Sequence, residues 1–137
     1  MTAPLAPERA LILFAHGARA ASWAAPFERL RALAQARLPD VDVSLAFLEL
    51  MEPRLPAQVA ALAARGVRAV SVVPVFLGQG GHVLRDLPLI VDQLRLDYPA
   101  ITFSVSGAVG EDARVLAAMT DFCVAAIGGD ALTAPPA

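Results

Sequence analysis

Lysine is missing from this chain: all eleven basic residues are arginines, set against thirteen Asp and Glu for a formal charge of −2. With a pI near 5.6, that balance argues against a general nucleic-acid binder, which would carry a basic face. Cysteine is almost missing too. The single Cys123 cannot close an internal disulfide; in its apolar helical stretch it reads as a buried thiol acting as a small hydrophobe, and the usage fits a reducing compartment. The chain is 57% hydrophobic with a mean hydropathy of +0.59. Even so, no apolar run reaches the roughly 18 residues a spanning helix needs. The start does not resemble a signal peptide, because Glu8-Arg9 precede only a short apolar stretch that His16-Gly17 ends. A cytoplasmic protein without membrane or nucleic-acid partners is expected.

Several motifs are absent as well. There is no Walker A pattern and no Gly-x-Ser-x-Gly elbow, so neither ATP-driven chemistry nor a serine nucleophile has a visible site. Gly78-Gln79-Gly80-Gly81-His82-Val83 lacks the last glycine of a dinucleotide fingerprint and follows the third strand-like run, not the first. Two histidines and no cysteine pair cannot close a tetrahedral zinc site within one chain.

What is present alternates strand and helix over one domain of 137 residues with a core at about 10–127, between loosely ordered Ala- and Pro-rich termini. Residues 10–15 read as a buried strand. Trp23, Phe27, Leu30 and Ala34 follow at helical spacing, ending before Pro39-Asp40. Val41, Val43, Leu45 and Phe47 alternate as a second strand, and a helix runs from about Pro56 to Arg65, stopped by Gly66. Residues 68–77 form a third strand whose near-continuous apolar character predicts burial on both faces. A helix from near His82 to Asp97 contains Pro88, which either kinks it or marks a later first turn. A fourth strand spans 101–106. A last helix, about 111–127, carries Val115, Met119, Phe122 and Ala126 on one stripe. Four such units predict a flavodoxin-like three-layer α/β/α fold with a four-stranded parallel sheet in the order 2-1-3-4.

That order sets strands one and three side by side, and both histidines follow those strands. Ligands bind outside the carboxyl ends of strands in such sheets, and imidazole is both a general base and the commonest metal ligand. His16 reads either as a ligand or base on that rim or as a polar cap on a strand exit. His82 follows a glycine loop, in which Gly80 and Gly81 would allow positive φ or the close approach of a bulky ligand. Glu49 ends the second strand, where it is either a proton acceptor or a solvated loop acid, with Glu52 close by. Arg19 and Arg85 each lie three residues beyond a histidine and are suited to gripping carboxylates; for either one alone, surface solubility is the simpler explanation. Asp86 would either orient a neighbour or stabilise a helix N-terminus.

Three segments together resemble a known family. Leu13-Phe14-Ala15-His16-Gly17-Ala18-Arg19, Ala46-Phe47-Leu48-Glu49-Leu50-Met51-Glu52-Pro53 and Val73-Pro74-Val75-Phe76-Leu77-Gly78-Gln79-Gly80-Gly81-His82-Val83-Leu84-Arg85-Asp86-Leu87-Pro88 resemble the small sirohydrochlorin chelatases of the CbiX/SirB type. Trp23, Pro26 and Phe27 extend the likeness, which covers roughly residues 10–127. The resemblance implies ATP-independent insertion of a divalent metal, cobalt before iron or nickel, into sirohydrochlorin or a close precursor for cobalamin synthesis. Iron insertion for sirohaem is the near alternative, and a metal- or tetrapyrrole-carrying module without turnover the more distant one. It implies a symmetric homodimer, with His16 and His82 as the metal-binding histidines of a shared cleft and the metal as substrate rather than resident cofactor. The chain departs from the family at Ala18, where serine is common, and so lacks a hydroxyl next to the site.

Overall fold

The computed structural model describes residues 6–78 and 80–128, without the side chains of residues 82 and 84. Both terminal segments expected to be loosely ordered lie largely outside those residues. Four parallel strands form one sheet: β1 (Arg9–Ala15), β2 (Val41–Phe47), β3 (Ala69–Pro74) and β4 (Thr102–Val105). Their order is β2-β1-β3-β4, with Leu11 opposite Val43 on one side and Ser71 on the other. The four helices are α1 (Ala25–Arg37), α2 (Leu55–Ala64), α3 (Gly81–Asp97) and α4 (Ala113–Ile127), with 3-10 turns at Ala21–Ala24 and Val109–Glu111.

The period-two alternation of the strands separates two cores. On one face Ile12, Phe14, Val70, Val72 and Phe103 meet Leu55, Val59 and Leu62 of α2 and Val83, Leu87, Val91 and Leu94 of α3. On the other, Leu13, Ala15, Val43, Leu45 and Phe47 pack under Trp23, Phe27 and Ala34 from the α1 region. α3 starts at Gly81 and runs through Pro88, so the proline sits inside the helix and does not mark its start.

Three expectations are corrected. The third strand ends at Pro74, and Val75–Leu77 form the strand-exit loop. That strand is covered well on one face only: Val70, Val72 and Pro74 are buried while Ser71 is exposed. Cys123 is exposed, because α4 has no buried residue and its stripe does not lie on the sheet. A regular helical stripe reports that a surface can be buried, not what buries it.

Candidate active site

The carboxyl edge of the sheet is built by backbone pairing that continues past the strands. Leu48 N donates to Ala15 O (2.8 Å) and Glu49 N to His16 O (3.1 Å), fastening the exit of β2 to the exit of β1. Val75 N donates to Phe14 O (2.9 Å), doing the same for β3. Gly17 adopts a φ of +92°, and a Cβ there would collide with the carbonyl oxygen of Glu49. Only glycine satisfies both conditions, so the His-Gly pair is a local packing requirement that presses the two loops together. Next to Glu49, Leu50 also lies in the left-handed region at φ 66°.

These loops fix His16. Its ring lies over that of Phe76, with centroids 4.4 Å apart and planes 36° apart. Phe76 is buried and in turn meets Phe14 at 5.9 Å, so an exposed imidazole stands on an aromatic floor continuous with the core. The third strand exit is held from its other side. Gly110 N donates to Phe76 O (2.8 Å), and a Cβ on Gly110 would collide with the Leu77 backbone. The sheet order and these bonds bring the exits of β1, β2 and β3 to one rim, with His16 between Glu49 and Phe76.

Glu49 is exposed and lines a cavity of about 300 Å³ with Leu48, Arg54, Asp86, Leu89 and Ile90. Glu49 and Asp86, distant in sequence, thus share one hollow between the exit of β2 and α3. Arg19 and Arg85 are exposed. The backbone of His82 belongs to the first turn of α3; its side chain lies outside the described residues. Gly80 precedes that turn at φ −66°, and neither Gly80 nor Gly81 has a positive φ or, among the described residues beyond its own chain neighbours, any atom within 4 Å of a notional Cβ. The loop therefore does not use the left-handed freedom of glycine; what its glycines leave is open space. Among the described residues no three His, Cys, Asp or Glu side chains converge as a metal cluster. Phe76 and Arg54 were not singled out from sequence. An aromatic in an apolar run and one arginine among eleven carry no local mark of a site.

The pattern of the CbiX family matches residues 10–123. This chain belongs to the CbiX family. Over 52 residues it is 42% identical to the sirohydrochlorin cobaltochelatase of Methanosarcina acetivorans, covering 38% of this chain and 40% of that one. Over 75 residues it is 29% identical to the sirohydrochlorin ferrochelatase of Bacillus subtilis, covering 55% of this chain and 29% of that one. The crystal structure of a CbiX protein from Marinobacter aquaeolei VT8 superposes with a TM-score of 0.77 at 28% identity, covering 88% of this chain and 98% of that one. The matched stretches span between 29% and 62% of the length of the curated relatives. The CbiX match contains His16, Glu49 and the whole glycine loop to Arg85, and the shared fold accounts for the rim on which they stand.

Proposed function

We propose that this chain inserts a divalent metal into sirohydrochlorin or a related tetrapyrrole without ATP, and that cobalt is the metal. The observation that carries the reading is the rim itself: a family-matched segment in which an exposed imidazole stands on Phe76, with Glu49 fastened beside it. Insertion exchanges one cation for two pyrrole N–H protons, so the site needs a cation holder and a proton acceptor. His16 and His82 hold the cation, supplied by both subunits of a homodimer to one cleft, which raises the imidazole count above what one chain offers. Glu49 accepts the two protons in turn and, being exposed, passes each to water as the pyrrole nitrogens turn to the metal. Arg19 and Arg85 grip the acetate and propionate groups of the macrocycle, and the open space over Gly80 and Gly81 admits its flat face. Imidazole suits iron as well as cobalt, and relatives of this chain carry both names, so iron insertion is the second reading.

The test is an anaerobic absorbance time course of sirohydrochlorin with Co²⁺ or Fe²⁺, with and without the protein. The expected result is a rate well above background with Co²⁺, reduced at least about a hundredfold by His16→Ala and by His82→Ala. Arg19→Ala and Arg85→Ala should weaken substrate affinity. A rate equal to background with both metals overturns the reading; a spectral shift without insertion would make the protein a carrier.

A further inference from the structure

Two leucines stand exposed on the carboxyl rim, one on each side of His16. Leu50 follows Glu49 at the exit of β2 and is 55% exposed; Leu77 follows Phe76 at the exit of β3 and is 69% exposed. Neither belongs to the two cores of the protomer. Exposed leucines also occur on α1 and α4, where the helix backbone is the same whatever residue occupies it, and singly they carry no meaning. At positions 50 and 77 the backbone itself is specified.

Leu50 lies in the left-handed region at φ 66°. Glycine or asparagine takes that conformation at little cost, whereas the Cβ of leucine crowds the following carbonyl. Such strain persists only where the surroundings over-determine it, and here the segment is fastened at both ends. Glu49 N donates to His16 O at 3.1 Å, and Phe47 N donates to Pro53 O at 2.9 Å, beside the bridge from Phe47 to Arg54. Leu77 is held from another direction. The amide of Gly110 donates to Phe76 O at 2.8 Å, and Gly110 packs so closely on the Leu77 backbone that a Cβ would collide. Each leucine therefore combines a fixed backbone with a side chain left in water. Among the described residues, nothing recovers the strain at Leu50 or the exposure of either side chain.

The sheet sets their spacing. Neighbouring strands lie about 4.8 Å apart, so the exits of β2 and β3 are roughly 10 Å apart, with His16 at the end of β1 between them. A cation enters a flat macrocycle only through its face. A ring that takes a cation from His16 therefore lies face-on above it and reaches over both neighbouring exits. Its conjugated body is apolar, and its carboxylates are confined to the periphery. We propose that Leu50 and Leu77 form an apolar bed for the face of the tetrapyrrole, and that the left-handed backbone at Leu50 is kept for this contact. The bed rests on the tetrapyrrole of the proposed function and names the side chains that recognise its ring, as distinct from its carboxylates or the metal.

Titration of metal-free sirohydrochlorin with the full-length protein, followed by the fluorescence of the ring, measures binding apart from insertion. Leu50→Asn keeps a residue that tolerates the left-handed backbone but removes the apolar contact. Leu50→Asn and Leu77→Ser should each weaken ring binding about tenfold, with KM for insertion rising in step. Leu50→Met restores an apolar side chain and should bind within about threefold of the parent. Leu33→Ser on α1, where the leucine is 68% exposed, is the control and should bind as the parent does. Leu50→Gly should weaken binding as Leu50→Asn does, yet unfold at a urea midpoint no lower than the parent's, because released strain offsets the added freedom of the unfolded chain. Parental ring affinity in Leu50→Asn or in Leu77→Ser would overturn the bed, while insertion by the parent would leave the proposed function standing. A urea midpoint lowered by Leu50→Gly would show that the leucine serves the fold, and would overturn the role given to its strain. A parent that binds no sirohydrochlorin would overturn the proposed function and the bed with it.

Discussion

A glycine and an aspartate show how single residues act on this rim. At Gly17 the left-handed φ and the Glu49 carbonyl both forbid a side chain. Gly17→Ala should therefore cost on the order of 1–3 kcal/mol, read as a lower urea midpoint. It should also spread the two loops that set His16 beside Glu49, so the proposed insertion would be slower in the fraction that remains folded. Leu50, at φ 66°, shows that backbone strain collects at this place, as it does at functional sites. Asp112 is the pH-sensitive residue of the pair. Hydrogen bonds from the Arg114 side chain, then from its backbone N–H, hold the Asp112 carboxyl at about 2 instead of 3.8. A carboxyl depressed on folding contributes its stabilisation above the unfolded value and loses it as pH falls through the folded one. The α4 cap should thus persist down through pH 4 and be lost near pH 2. A carbon-detected NMR titration of Asp112 with a midpoint near 4 would contradict that geometry.

Between elements, the contrast lies between α2 and α4. Leu62 of α2 is fully buried against the sheet, so Leu62→Ala should cost about 2–5 kcal/mol through lost transfer energy and the cavity left behind. Leu116 of α4 has the same side chain at 49% exposure. Leu116→Ala should shift stability by no more than about 0.5 kcal/mol. Chemical denaturation of both variants at low concentration checks the pair, and equal losses would mean α4 is packed after all. Helical periodicity marks both stripes in the sequence. It does not tell them apart, because periodicity describes a helix's own surface and burial depends on where the preceding loop sends it.

At the scale of the whole molecule, the sheet order β2-β1-β3-β4 converts separate strand exits into one rim. Alternating apolar runs and breakers made the four strand–helix units legible; their order was expected only from the usual arrangement of small doubly wound sheets, since crossover handedness does not fix which strands are neighbours. His16, Glu49 and the glycine loop were legible as strand-exit residues for the same reason. Less of the site could be read. That Phe76 floors the imidazole, that Glu49 and Asp86 share a hollow, and that Gly80 and Gly81 stand in open space are contacts between segments far apart in the chain. Covering of both faces of β3 and burial of Cys123 were expected from apolar composition and did not occur. By itself, then, the sequence determined what local physics governs: element type and which polar residues end strands. Only the tertiary structure decided which of those residues meet and which apolar faces stay open, because both depend on the direction each chain segment takes as it leaves the sheet.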